Sequence, residues 1–164
     1  MSVYGRILIA GFGSLSLLLG ALAFQYLGGL APCPMCIWQR WPHLIAVALS
    51  VLGLTLLWRH HRPVAAIGAL SMMASAVLGA YHTGVEQLWW PGPDSCTVMD
   101  PSAVSSDQLL SSIMDAPLVR CDEIVWDLFG LSMAAWNALI STGLAAIWLF
   151  AALPRTVTRH KAPA

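Results

Sequence analysis

Long apolar segments alternate with short polar ones along this chain, and the alternation predicts its architecture. No charged residue lies between Arg6 and Arg40, and three further uncharged stretches follow at 41–58, 63–85 and 128–154. Each stretch is near or above the roughly 18 residues that a helix needs to cross the hydrocarbon of a membrane. The pattern therefore predicts four membrane-spanning helices, at about 7–27, 41–58, 63–81 and 131–153.

Composition supports a membrane protein over a soluble one. Hydrophobic residues make up 58% of the chain and charged residues 10%, and the mean hydropathy is +0.71. Four such helices in a short chain leave too little polar surface for a soluble fold. Ala21-Leu22-Ala23 resembles a signal-peptidase site, but the apolar run before and after it is longer than the roughly 7 to 15 residues of a signal peptide. We predict one all-α integral membrane domain, a four-transmembrane-helix bundle, with the first helix retained.

The distribution of charge predicts the orientation. Short cytoplasmic loops retain an excess of Lys and Arg, and most of these residues lie at the N-terminus, in the turn after the second span, or in the C-terminal tail. The acidic residues all lie between Glu86 and Asp127. We therefore predict cytoplasmic termini, with the loops at about 28–40 and 82–130 on the outer side.

The long outer loop contains a second pattern. Apolar residues recur at helical spacing within 105–114, and Ser105 and Gln108 have the spacing of a capping box. This segment is predicted to form a short helix that lies in the membrane interface or packs on the bundle.

All four cysteines fall in the predicted outer loops. Cys33 and Cys36 form a C-x-x-C motif, whereas Cys96 and Cys121 are far apart in the long loop. Three disulfide connectivities are possible, and proximity favours Cys33 with Cys36, which leaves Cys96 with Cys121. A four-thiolate zinc site is disfavoured by the wide spacing of the second pair, so we expect no metal. Purely structural disulfides are the main alternative in an oxidising compartment.

The C-x-x-C motif favours exchange over stabilisation. Its small ring restricts little chain entropy, which makes it a weak stabilising device. A helix that begins near Met35 would place Cys36 in its first turn, where a thiolate is favoured, with Arg40 one turn further on. Arg40 is also the only charge between Arg6 and Arg59. An ionisable group at that depth is costly and is a functional candidate, although a snorkelling interfacial arginine is the simpler alternative.

Two redox-active cysteine pairs on one side of a membrane suggest an electron relay. The acceptor of its electrons is predicted to be lipid-soluble. The chain lacks a phosphate-binding glycine loop, and Ile37 after Cys36 excludes a haem attachment motif. A quinone, either ubiquinone or menaquinone, takes two electrons just as a dithiol supplies two. Arg40 could hydrogen-bond the quinone oxygen and stabilise the negative charge that develops there.

Several strings of residues resemble one family. They are the segment Cys33-Pro34-Met35-Cys36-Ile37-Trp38-Gln39-Arg40, the residues at 81–83 before Cys96, and those at 126–131 and 133–136 after Cys121. Over most of its length the chain resembles the bacterial disulfide-bond-formation protein B (DsbB) family. The resemblance implies a quinone reductase of the bacterial inner membrane, with periplasmic cysteines, that reoxidises a thioredoxin-fold thiol oxidase of the DsbA type. The family often has a proline within 132–136, which this chain lacks.

The resemblance also implies a role for each cysteine. Cys96 would be the sulfur that the partner thiolate attacks, and Cys121 would be its disulfide mate. Cys33 would receive electrons from this loop pair through a transient link to Cys121, and Cys36 would face the quinone.

Two further residues are implied at the quinone. Arg40 would lie beside it, and His82 would either contact the ring or be an ordinary interfacial histidine with its hydrogen bonds satisfied. Two other functions stay open from the sequence: a non-catalytic membrane subunit with two structural disulfides, and an enzyme similar to vitamin K epoxide reductase, whose cysteine placement differs.

Overall fold

Four long helices make up most of the computed structural model, which describes residues 2–93 and 119–154. They are α1 (Val3–Tyr26), α2 (Pro34–Leu54), α3 (His61–Glu86) and α4 (Met133–Ala152). A short 3-10 turn at Trp58–His60 precedes α3, and the strands β1 (Asp127–Leu128) and β2 (Leu131–Ser132) precede α4. Cys96 and the predicted interfacial helix at 105–114 lie outside the described residues.

The helices have the dimensions of membrane spans. Helix α1, the segment from Trp58 to Glu86, and α4 are each long and apolar enough to cross a bilayer by length and composition. Helix α2 has 21 residues, which is also enough to cross, but Gln39, Arg40 and His43 make it more polar. The predicted all-α membrane fold with four helices is confirmed.

Small residues allow α3 and α4 to approach closely. A Cβ atom at Gly79 would lie 2.9 Å from the backbone nitrogen of Ala138, and one at Gly68 would lie 2.5 Å from the Trp148 ring. Trp148 is fully buried together with Ile7 from α1. Close backbone approach of this kind is how helices associate in lipid, where no hydrophobic effect drives them together. Large apolar side chains cover the outside of the bundle, among them Phe12, Leu70, Val77 and Phe150.

Two helices start at side-chain caps near the same end of the bundle. Cys33 is the N-cap of α2: its sulfur accepts the Cys36 backbone N–H at 3.2 Å, and Pro34 occupies the first turn, a position that suits proline. Helix α2 therefore begins at Pro34, next to the start near Met35 that places Cys36 in the first turn, and it includes most of the span predicted at about 41–58. Ser132 caps α4 by accepting the Ala135 N–H at 3.2 Å, so α4 starts without the proline that the family resemblance leads one to expect.

A tight hairpin leads into α4. Asp127 pairs with Ser132 and Leu128 with Leu131 in antiparallel register. The two turn residues, Phe129 and Gly130, have φ angles of 55° and 76°, the left-handed conformation that two-residue hairpins require. The hairpin follows Trp126, whose ring contacts Phe24 of α1 with a centroid distance of 5.0 Å. The segment before α4 is thereby held against α1.

Candidate functional site

The C-x-x-C sulfurs lie together at the start of α2. Cys33 and Cys36 are free thiols with their sulfurs 2.8 Å apart. Cys33 is buried and Cys36 is half-buried. The hydrogen bond to Cys36 and burial together raise the pKa of the Cys33 thiol. Only a small movement separates the two sulfurs from a disulfide.

The sulfur of Cys121 lies beside this pair. Cys121 is fully buried and is disulfide-bonded. Its sulfur, the Cys33 sulfur and a ring nitrogen of His82 all lie within 4.8 Å of one another. Thiol–disulfide exchange proceeds by attack of one sulfur on another, and this cluster places a sulfur of the second cysteine region next to the C-x-x-C motif.

The same three groups are of the types that bind zinc. A sulfur in a disulfide is not a thiolate, however, and thiolate is the form that binds a metal. In this state the cluster offers a metal only Cys33 and His82.

His82 of α3 connects the two cysteine regions. Its ring is buried, and Nε2 lies 3.2 Å from the Cys121 carbonyl oxygen and 3.7 Å from the Cys33 sulfur. On the other side of the ring, Nδ1 lies 2.9 Å from the side-chain nitrogen of Gln39. Nε2 is also 3.9 Å from the Glu86 carboxylate one turn along α3.

Arg40 lies one turn after Cys36 on α2. Its guanidinium donates to the Gln25 side-chain oxygen at 2.6 Å and to the Ala21 carbonyl at 3.5 Å, both on α1. Its Nε is buried and has no hydrogen-bond partner among residues 2–93 and 119–154. Since a buried donor without a partner is costly, this nitrogen is a ready donor for a bound acceptor.

A cavity of about 400 Å³ brings these groups together. Cys33, Cys36, Arg40, His82 and Glu86 line it, and most of the remaining wall is apolar. This volume is in the range of small-molecule sites, which are typically apolar with a few placed polar groups. An unpartnered guanidinium nitrogen, a cysteine sulfur and apolar walls fit a flat apolar ring that carries carbonyl oxygens. The residues present therefore fit a quinone head group.

Sequence reasoning missed a polar network behind His82. Asn137 of α4 donates from its side-chain nitrogen to the Gln39 side-chain oxygen at 2.7 Å, and its own oxygen lies 2.9 Å from Nε2 of His43. All three side chains line the cavity. Glu86, which accepts a hydrogen bond from the Ser132 hydroxyl, was also missed. In the sequence, only their polarity could have pointed to these residues, because polar side chains are unusual within largely apolar helices.

The cavity thus brings together most of the candidates named from the sequence. Cys33, Cys36, Arg40 and His82 line it, and Cys121 touches the cluster from the segment before the hairpin. Cys96 lies outside the described residues.

Several known proteins similar to this chain carry the same name. The family model "Disulfide bond formation protein DsbB" matches residues 5–151. Disulfide bond formation protein B 2 of Pseudomonas aeruginosa is 34% identical over 131 residues, which cover 76% of each chain. Disulfide bond formation protein B of Dechloromonas aromatica is 33% identical over 147 residues, 83% of this chain and 84% of that one. The homonymous protein of Methylococcus capsulatus is also 33% identical over 147 residues. The chain therefore belongs to the DsbB family and is a membrane oxidoreductase of disulfide bond formation.

Proposed function

We propose that this protein is a quinone reductase that reoxidises a periplasmic thiol oxidase of the DsbA type. Electrons pass from the Cys96/Cys121 pair to the Cys33/Cys36 pair and then to a quinone of the bacterial inner membrane. The relatives' name, disulfide bond formation protein B, supports a role in making disulfides. The cavity beside Cys36 supports the acceptor.

One observation carries the proposal: the Cys121 sulfur lies within 4.8 Å of the Cys33 sulfur, which in turn is 2.8 Å from Cys36. Cys121 is in a disulfide whereas Cys33 and Cys36 are free. We assign Cys96, the remaining cysteine of the chain, as the mate of Cys121. Two cysteine pairs in series, with one end beside a cavity, are the arrangement that an electron relay needs.

The relay consists of exchange steps that conserve electrons. A thiolate of the reduced partner attacks Cys96, and the second partner thiol then resolves the mixed disulfide, so the partner is oxidised and Cys96 and Cys121 are reduced. The Cys121 thiolate attacks Cys33, which breaks the Cys33–Cys36 bond and leaves the electron pair on Cys36. Cys96 then attacks Cys121, which restores the loop disulfide and leaves Cys33 and Cys36 as the dithiol.

The cavity residues prepare the last transfer. When bound there, a quinone would supply an acceptor for two electrons and two protons, which the Cys33/Cys36 dithiol would give up as it returned to a disulfide. Arg40 is placed to donate a hydrogen bond to an oxygen of the ring and to favour negative charge there. Most of the wall is apolar, and the half-buried Cys36 lines the same space.

Quinone absorbance in detergent tests this function. Reduced DsbA-type partner is mixed with the protein and either ubiquinone or menaquinone, and the loss of oxidised quinone is followed for the protein and for Cys36→Ala. We expect partner-dependent loss that disappears in the variant. No loss with the intact protein, for either quinone and for more than one partner, would instead favour a membrane subunit with structural disulfides.

A further inference from the structure

Gln39 makes three side-chain hydrogen bonds in the interior of the bundle. Its nitrogen faces the Met35 carbonyl oxygen at 3.2 Å and Nδ1 of His82 at 2.9 Å. Its oxygen accepts from the side-chain nitrogen of Asn137 at 2.7 Å. Gln39 is only 7% exposed, so it cannot exchange these partners for water without opening the site.

The chemistry of the neighbours fixes which way the Gln39 amide points. A backbone carbonyl only accepts, so the Gln39 atom that faces Met35 must be the nitrogen, which donates. The same nitrogen faces His82, and Nδ1 of His82 must therefore accept. A neutral imidazole with an accepting Nδ1 carries its hydrogen on Nε2.

The opposite side of the His82 ring leads to the same assignment independently. Nε2 lies 3.2 Å from the carbonyl oxygen of Cys121, which can only accept. Both sides of the ring thus favour the tautomer with hydrogen on Nε2, and the contact with Gln39 is the shorter of the two. That N–H also faces the Cys33 sulfur, 3.7 Å away.

We propose that Gln39, held by Asn137, is a positioning residue that fixes His82 in the Nε2–H tautomer, so that this N–H donates a hydrogen bond to the Cys33 sulfur during disulfide exchange. The inference rests on the proposed function, because it assigns His82 to one step of the relay. It gives His82 a task at the cysteines in addition to any contact with the quinone.

The step that benefits is the release of Cys33. When the Cys96 thiolate attacks Cys121, the Cys96–Cys121 bond forms, the Cys33–Cys121 bond breaks, and Cys33 takes the electron pair as a thiolate. A hydrogen bond from His82 stabilises this sulfur without transferring its proton. Hydrogen bonds to charged acceptors are stronger than neutral ones, and losing one is expected to slow the step about tenfold.

Nitrogen NMR of the full-length protein in detergent reads the tautomer directly. The chain has five histidines, and comparison with His82→Asn identifies the signals of His82 in protein labelled with ¹⁵N at the imidazole rings. We expect a protonated Nε2 and an unprotonated Nδ1 in the parent, and a measurable share of the Nδ1–H tautomer in Gln39→Met, in which only the longer contact with the Cys121 carbonyl still favours hydrogen on Nε2. A parent with hydrogen on Nδ1 would overturn the proposal, as would an unchanged tautomer in Gln39→Met.

Electron transfer between the cysteine pairs supplies the second readout. Quinone-free protein is mixed with reduced partner, quenched with an alkylating reagent and analysed by mass spectrometry. Arrival of thiols at Cys33 and Cys36 should be about tenfold slower in Gln39→Met. The matched control is Thr83→Val, which removes the adjacent hydroxyl that bonds to Gly79 at 2.9 Å, and it should transfer electrons at the parent rate.

The possible outcomes distinguish failure of the positioning role of Gln39 from failure of the proposed relay. If no electrons pass between the pairs in the parent, the proposed relay is wrong whatever the tautomer. If the parent transfers electrons and Gln39→Met transfers them equally fast despite a changed tautomer, only the positioning role is wrong. Should Gln39→Met fail to fold, Gln39→Glu replaces the donor by an acceptor of the same shape. In that variant Nδ1 should gain a hydrogen, and an unprotonated Nδ1 would contradict the proposal.

Discussion

Arg40 bonds to helix α1 and also lines the cavity beside Cys36. Two of its guanidinium nitrogens hold α1 through Gln25 and Ala21, while Nε is buried without a partner in the described part of the chain. An arginine that only snorkelled to the interface would turn its charge towards water. Arg40 instead lines the cavity beside Cys36, which favours the binding role that its isolated charge suggested.

Replacing Arg40 should therefore separate quinone use from partner exchange. In Arg40→Ala, we expect kcat/KM for quinone to fall about 100-fold, the effect typical of losing one preorganised donor. Exchange of the partner with Cys96 should stay within about twofold, because that step takes place at another sulfur. The matched control is Arg59→Ala, which removes the same charge from the exposed turn before α3 and should leave quinone kinetics unchanged. Unchanged quinone kinetics in Arg40→Ala would remove Arg40 from the site.

The sequence made some site residues predictable and concealed others for a physical reason. Cys33, Cys36 and Arg40 are close in the chain and belong to one helix start, so spacing alone places them together. Gln39 and Asn137 meet across two helices, and nothing in the order of residues shows which buried amide faces which ring. Their polarity marks them as unusual in an apolar helix, but their partners become visible only in the folded bundle.

At the scale of elements, caps and small residues decide where helices begin and how closely they pack. Charge spacing predicts that four helices exist because hydrocarbon excludes charge, but a helix can extend beyond the uncharged stretch. Helix α2 starts at Pro34 because the Cys33 sulfur caps it, and a single charge at Arg40 does not stop a helix. The hairpin at 127–132 was not predicted. Phe129 and Gly130, both in the left-handed conformation, form its turn.

The close contact of α3 with α4 makes Gly79 intolerant of a side chain. Gly79→Ala places a Cβ 2.9 Å from the Ala138 backbone nitrogen, and we expect it to destabilise the bundle by about 1–3 kcal/mol through overpacking. Gly143→Ala is the matched control, since no described atom lies within 4 Å of its Cβ. The stability of both variants is measured by thermal unfolding in detergent, followed by circular dichroism. Equal stability of Gly79→Ala and the parent would contradict the packing described here.

Across the whole molecule, Arg6, Arg59 and Arg62 lie at the opposite end of the bundle from the cysteine site. Arg6 donates to the Phe150 carbonyl and Arg62 to the Ala152 carbonyl, so two arginines satisfy the last carbonyls of α4. The cysteines lie near the other ends of these helices, where α2 and α4 start and α3 finishes. This separation agrees with the orientation expected from the positive-inside rule, in which the arginines face the cytoplasm.

Reporter cysteines test that orientation. In a background with all four native cysteines replaced by alanine, Glu123→Cys adds a thiol to the exposed segment beside the site, and Arg59→Cys adds one to the exposed turn at the other end. A membrane-impermeant maleimide applied to intact spheroplasts should label the first and spare the second until the membrane is opened. Labelling of Arg59→Cys alone would reverse the proposed topology.

The most direct test of the account is a cross-link between the two cysteine pairs. The double variant Cys36→Ala/Cys96→Ala retains only Cys33 and Cys121, whose sulfurs lie within 4.8 Å of each other. Under mild oxidation in detergent, peptide mass spectrometry should find these two cysteines joined in nearly all molecules, and far less joining of Cys36 to Cys121 in Cys33→Ala/Cys96→Ala. If Cys33 and Cys121 both remain free thiols, the two pairs do not exchange, and the relay is wrong.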